Sequence, residues 1–181
     1  MADARRARPA NARRCIAVVA IWLCFWPVAA DADDWQVSFT PGSDCTGLVV
    51  TAIHSAKTSV LVQAYSFTSA PIAQALADAH RRGVDVRIIL DKSQIGERYT
   101  SAKFFVNSGI PVWIDDKVAI AHNKVMIIDD ETAITGSFNL TRSAQERNAE
   151  NLLIIQNADL AAKYVHNWKV RQGVSRVYRP G

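Results

Sequence analysis

His122, Lys124 and Asp129 stand in this 181-residue chain as His-x-Lys-x4-Asp, and Gly136, Ser137 and Asn139 follow as Gly-Ser-x-Asn. An imidazole is a nucleophile, and a lysine ammonium is a fixed positive charge. A glycine lets backbone approach closely, and the hydroxyl and amide beside it can donate hydrogen bonds. Together these are the parts needed to attack a phosphodiester and to stabilise the charge that builds on its oxygens.

The elements that must position them are short. Val125–Ile128 and Thr132–Thr135 are apolar, β-branched runs separated by Asp129, Asp130 and Glu131, which predicts a two-strand hairpin. Side chains alternate along a strand, so His122 and Lys124, two residues apart, are expected on one face within reach of one phosphate. Gly136 and Ser137 close the second strand, and Asn139 adds an amide donor.

The ends and the composition bound the rest. Residues 1–32 carry five arginines followed by an apolar run and a small-residue exit, the layout of a cleaved secretory signal peptide. An uncleaved anchor fits less well, because the run is short for a span and Pro27 interrupts its end. Cleavage leaves residues 33–181 as one domain with a sizeable core, periplasmic or secreted, with no stable membrane association. The leader holds five basic and two acidic residues, so the chain's 21 basic and 17 acidic residues fall to 16 and 15. A polyanion site must then be a local patch and not a global field. Cys45 remains as a lone thiol, either simply tolerated or buried, with intermolecular pairing as the lesser alternative, and no Cys/His spacing suits zinc.

Along the domain, Trp35–Thr40 reads as a strand, about Thr46–Ala56 as a helix and Ser59–Tyr65 as a strand. Pro71–Arg82 reads as a helix with proline in its first turn, and Val84–Leu90 as the strand after it, so a βαβ unit with a parallel pair is expected. A helix over Tyr99–Ser108, a strand over Pro111–Ile114, the hairpin, a polar segment Thr141–Ala149, a strand over Asn151–Gln156 and a helix from about Asp159 to Arg171 complete the chain. Alternating strands and helices predict an α/β layered domain on a mixed sheet. Trp113 and Trp168 read as packing residues, while Tyr65 and Phe67 suit either a base-stacking role or the core. Lys92, Arg98, Lys103, Lys117, Arg142 and Arg147 could line a phosphate track. His54, His80 and His166 fall in helices and read as surface or boundary residues.

The joined motif resembles the signature of the phospholipase D superfamily, and the chain is most similar to its single-motif Nuc-type bacterial endonucleases. The likeness runs from about Phe39 to Trp168 through FTPGSDC, VQAYSFTSAPIAQAL, RGVDVRIILDKSQ, GIPVWID, IAHNKVMIIDD, TGSFNLT and NAENLL. The resemblance implies a phospholipase D-like α/β domain with a central mixed sheet flanked by helices. It implies a phosphohistidine on His122, phosphate binding by Lys124, Ser137 and Asn139, and a carboxylate at Glu150 that orients the imidazole. Asp129 joins the catalytic set by its motif position, although its place at a strand end suggests a structural part.

One motif supplies one histidine where a two-step displacement wants a nucleophile and an acid, so a homodimer sharing one site across its two-fold is expected. The expectation is a metal-independent, largely non-specific endonuclease acting on DNA and possibly RNA, with no cofactor. The alternatives are a phospholipase D or phosphatidyl transferase acting on lipid head groups, and a non-catalytic nucleic-acid-binding module.

Overall fold

A computed structural model describes residues 34–96 and 101–180. The leader expected over residues 1–32, and Arg98 and Tyr99, lie outside the described residues. The elements in order are β1 (Asp34–Thr40), α1 (Cys45–Ser55), β2 (Ser59–Ala64), α2 (Ala70–Arg81), β3 (Asp85–Asp91), a 3-10 turn (Lys92–Ile95), α3 (Ala102–Asn107), β4 (Val112–Asp115), β5 (Lys124–Ile128), β6 (Thr132–Gly136), α4 (Arg142–Glu146), β7 (Glu150–Gln156), α5 (Ala158–Val174) and β8 (Arg176–Val177).

The described strands form one eight-stranded sheet in the order β1-β7-β6-β5-β2-β3-β4-β8. β2 pairs parallel with β3, and β3 with β4, while every other pairing is antiparallel. The fold is thus the α/β domain with a central mixed sheet and flanking helices that the alternation predicts. β2 and β3 are covered on both faces, which is why most of their residues are apolar.

One face carries the larger core, in which Val49 and Ile53 of α1, Ile72 and Leu76 of α2 and Phe105 of α3 meet Val60, Val62, Ile88, Met126 and Ile128. On the other face, α5 sets Ala161, Val165 and Trp168 against Leu61, Ile89, Val125 and Ile127. Those helical positions recur at four and three residues, so a single stripe turns inward. The Trp168 indole N–H donates to the Val62 carbonyl at 2.9 Å, and its ring meets half-buried Trp113 edge-on, so both tryptophans are packing residues. Arg171 grips the buried Asp115 carboxylate through two bonds of 2.6 and 2.7 Å, tying the end of α5 to β4. Cys45 is free and buried, with its thiol 3.3 Å from the Ser38 hydroxyl.

Three elements lie outside the expected set: the 3-10 turn over Lys92–Ile95, which the Asp91 carboxylate caps by accepting from the Ser93 amide, α4 and β8. Within the polar segment after Thr141, a five-residue α4 forms because the Thr141 hydroxyl accepts from the Ala144 amide and caps it. β8 is a two-residue strand closing the β4 edge.

The register decides where chemistry can occur. Ala64 at the end of β2 pairs with Lys124 at the start of β5. Gly136 at the end of β6 pairs with Leu152, two residues into β7. The ends of β2, β3 and β6 and the beginnings of β5 and β7 therefore share one end of the sheet.

Candidate active site

At that end, His122 leaves a loop whose neighbours on both sides are tied to the sheet. The Ala121 amide donates to the Asp91 carboxylate at 2.7 Å, and the Tyr65 amide donates to the Asn123 carbonyl at 3.0 Å. The Asn123 side chain reaches Gln63 at 3.1 Å. His122 is thus held just ahead of β5 and not on it, because the strand begins only at Lys124. The expected proximity survives all the same: the Lys124 ammonium lies 3.1 Å from His122 Nε2 and donates to its carbonyl at 2.9 Å. An ammonium cannot accept a hydrogen bond, so Nε2 presents its lone pair and Nδ1 carries the hydrogen. Burial pulls the Lys124 ammonium below the ordinary lysine range, against the opposing pull of the Glu150 carboxylate.

Ser137 is placed by Gly136. The glycine has a φ of +141°, and a Cβ there would lie 2.3 Å from the Asn151 carbonyl oxygen, so no side chain fits. The chain then bends across β7, where the Ser137 hydroxyl donates to Glu150 at 2.6 Å and accepts from the Asn151 amide at 3.0 Å. Glu150 takes a second bond from Asn148 at 2.8 Å. The side-chain amide oxygen Oδ1 of Asn139 is buried without a hydrogen-bond partner, a polar group left over by the fold. His122, Lys124, Ser137 and Asn139 line one open pocket of about 390 Å3, together with Thr135 and Gly136 and with Tyr164 from α5.

Two expected roles are placed differently. Glu150 is not hydrogen-bonded to His122. β6 lies between β7 and β5, and the carboxylate is taken up by Ser137 and Asn148 on the near side. Asp129 lies at the far end of β5 from His122, so the structure does not bring it into the catalytic set. Its carboxylate accepts from the amides of Lys57, Thr58 and Ser59 and from the Thr58 hydroxyl, at 2.7–3.2 Å. Burial alone would raise this carboxyl, but those donors outweigh it and hold it below the usual carboxylate range.

The other candidates fall away from the pocket. His54, His80 and His166 lie on α1, α2 and α5. Lys92 is taken up by the Val118 carbonyl, Lys117 by Asp116 and Arg142 by Glu146. Phe67 is fully buried against Phe105. Among the described residues, no group of three or more His, Cys, Asp or Glu side chains could hold a metal ion.

A family profile described as "Cardiolipin synthase, PLD-like domain" matches residues 49–169, which include every residue of the pocket. This chain belongs to the phospholipase D-like family. Membership places it in a superfamily of phosphodiesterases, and the relatives agree. A phospholipase D of Rickettsia bellii is 43% identical over 134 residues, spanning 74% of this chain and 67% of that protein. Nuc from Salmonella typhimurium, a phospholipase D family member of known structure, is 41% identical with a TM-score of 0.78, covering 82% of this chain and all of that one. NucT from Helicobacter pylori, at 24% identity and a TM-score of 0.76, shares the fold over 81% of this chain.

The phospholipase D-like motif leaves out the residues that hold it. Asp91 is buried at the end of β3, where amide bonds from Ser93 and Ala121 outweigh its burial and depress its carboxyl. Gln63 is a buried polar residue within the largely apolar β2. A polar residue inside an apolar strand, and an acid closing one, were the signals available in the sequence.

Proposed function

We propose that this chain is an endonuclease that hydrolyses nucleic-acid phosphodiester bonds with little sequence preference, without a metal, through a phosphohistidine on His122. The observation that carries the reading is the Lys124 ammonium 3.1 Å from His122 Nε2, in an open pocket that also holds Ser137 and Asn139. A substrate phosphate draws the ammonium to its own oxygens, which frees the Nε2 lone pair. The lone pair forms a P–N bond as the P–O bond to the leaving group breaks, and an acid protonates the departing oxygen. Water then attacks phosphorus, gives up its proton to the same group, and the P–N bond breaks. Lys124 and Asn139 stabilise the charge on the non-bridging oxygens, and Ser137 joins them by turning its one hydroxyl hydrogen from Glu150 to the phosphate. The chain's similarity to Nuc supports nucleic acid as the substrate. The basic, apolar leader supports export to the periplasm or beyond.

The acid is the partner subunit's His122 in a homodimer. Support comes from the edge strand β1, whose Trp35, Val37 and Phe39 point from one face of the sheet and stay exposed at 63%, 42% and 57%. An apolar stripe of this kind on an edge strand calls for a cover. Phe39→Asp is expected to yield a monomer by sedimentation and to lose activity with it.

The test is cleavage of supercoiled plasmid by residues 33–181 in excess EDTA, beside an identically purified His122→Ala variant. Nicking by the wild type alone supports the reading. Loss of nicking in EDTA overturns its metal-free chemistry. A second reading, hydrolysis of lipid head groups, is favoured by Val118 and Ile120, exposed at 37% and 56% on the loop just before His122. Release of phosphatidic acid from liposomes, with plasmid left intact, would select it.

A further inference from the structure

Tyr65 follows the last residue of β2, and its amide bond to the Asn123 carbonyl extends the β2–β5 ladder one step beyond the Ala64–Lys124 pair. That bond fixes where its side chain departs. The half-buried ring lies 4.7 Å from the His122 imidazole, centroid to centroid, with the planes 56° apart. The Lys124 ammonium lies 5.1 Å from the centroid of the same ring. Tyr65 therefore touches both members of the reacting pair, from outside the motif that contains them.

Three groups hold the ammonium: His122 Nε2, the His122 carbonyl and the Tyr65 ring. The first must be given up when a phosphate arrives, because Nε2 is the atom that attacks. A ring face attracts a cation through its quadrupole and asks for no particular N–H direction, so this contact persists while the ammonium turns. The same ring, packed against the imidazole, keeps Nε2 aimed at the pocket once its partner has left.

We infer that Tyr65 is a positioning residue of this site, keeping the Lys124 ammonium in the pocket and the His122 imidazole aligned while the ammonium passes from Nε2 to the substrate phosphate. The inference rests on the phosphodiesterase reading above. Tyr65 is then engaged and not free to stack a base.

The test compares Tyr65→Phe, which keeps the ring, with Tyr65→Leu, which keeps an apolar side chain without it. Tyr65→Met serves as a second ringless variant should Leu impair folding. The substrate is bis(p-nitrophenyl) phosphate, which reports phosphodiester cleavage whatever the natural substrate. Tyr65→Phe is expected to turn over within about twofold of wild type. Each ringless variant is expected to lose roughly 10- to 100-fold in kcat, with KM moved by less than about threefold. Its alkaline limb should move to lower pH, because an ammonium without the ring loses a stabilising contact. A purely structural role would lower the melting temperature without displacing that limb. Ringless variants with wild-type kcat and an unmoved limb overturn the inference, as does a Phe variant that falls as far as Leu. Failure of the phosphodiesterase reading looks different, since the wild type itself would release no nitrophenol. The 15N shifts of His122 would still decide the inference in that case: one Nδ1–H tautomer in wild type and a mixture in the ringless variants supports it, and identical spectra overturn it.

Discussion

At the Ile128 end of β5, the Asp129 carboxylate accepts three amides and a hydroxyl from residues 57–59, while at the Lys124 end His122 stands exposed with its Nε2 held by an ammonium. The turn beyond Ile128 runs through Asp129 and Asp130 at φ of +54° and +58°, a conformation that aspartate tolerates better than most residues. There the polar group is satisfied by backbone from another loop, and nothing remains to bind a ligand. Near the Lys124 end, the Asn139 oxygen is buried without a partner and the ammonium is partly desolvated. One five-residue strand thus joins a saturated end, which stabilises, to an unsaturated end, where the proposed chemistry would take place. The motif spells both in one run of letters and does not distinguish them.

Mutations should separate the two ends. His122→Ala is expected to cost on the order of 10⁴-fold in turnover of a chromogenic diester while its melting temperature stays within a few degrees of wild type. A parallel loss of stability would break the comparison. Lys124→Met should cost roughly 10²- to 10³-fold in kcat, the usual effect of removing one oxyanion donor. The Lys124 ammonium is held below the ordinary lysine range, so activity should fall, as pH rises, before a free lysine would titrate. Lys124→Arg should push that alkaline limb upward whatever rate it retains, because a guanidinium stays charged.

Asp129→Asn should do the reverse, lowering stability by about 1–3 kcal/mol in urea titrations with kcat within about twofold. A hundredfold loss of kcat in a folded Asp129→Asn protein would return this residue to the chemistry. Acid is the gentlest probe. Asp91 and Asp129 both have depressed folded-state carboxyls, so the stability they contribute is present above the unfolded value of about 3.9 and is lost as pH falls through their lower folded values. Wild-type stability should therefore decline more steeply below about pH 4 than that of Asp129→Asn, measured by urea titration at each pH.

Much of this was legible in the sequence because it is local. The hairpin, the helix entered through Pro71 and the apolar runs of β2 and β3 are each written within a dozen residues, and the mixed sheet follows from their alternation. His122, Lys124, Ser137 and Asn139 reach one pocket because the motif spans a single hairpin. What was missed depends on partners distant in the chain. Glu150 meets Ser137 because β7 lies beside β6, an order no spacing records. Asp91 meets Ala121 across thirty positions. Tyr65 reads from sequence as a base platform or a core residue, and the register that sets it against His122 belongs to another strand. α4 and β8, at five and two residues, are too short to show a period.

The close approach at Gly136 has a consequence for how sequence variation can accumulate. With the Asn151 carbonyl where a Cβ would sit, every substitution at this position must part β6 from β7 and carry Ser137 away from Glu150. In a saturation library selected for activity, position 136 should therefore be as intolerant as His122. The two would fail for opposite reasons, one because its side chain is needed and the other because none can be admitted.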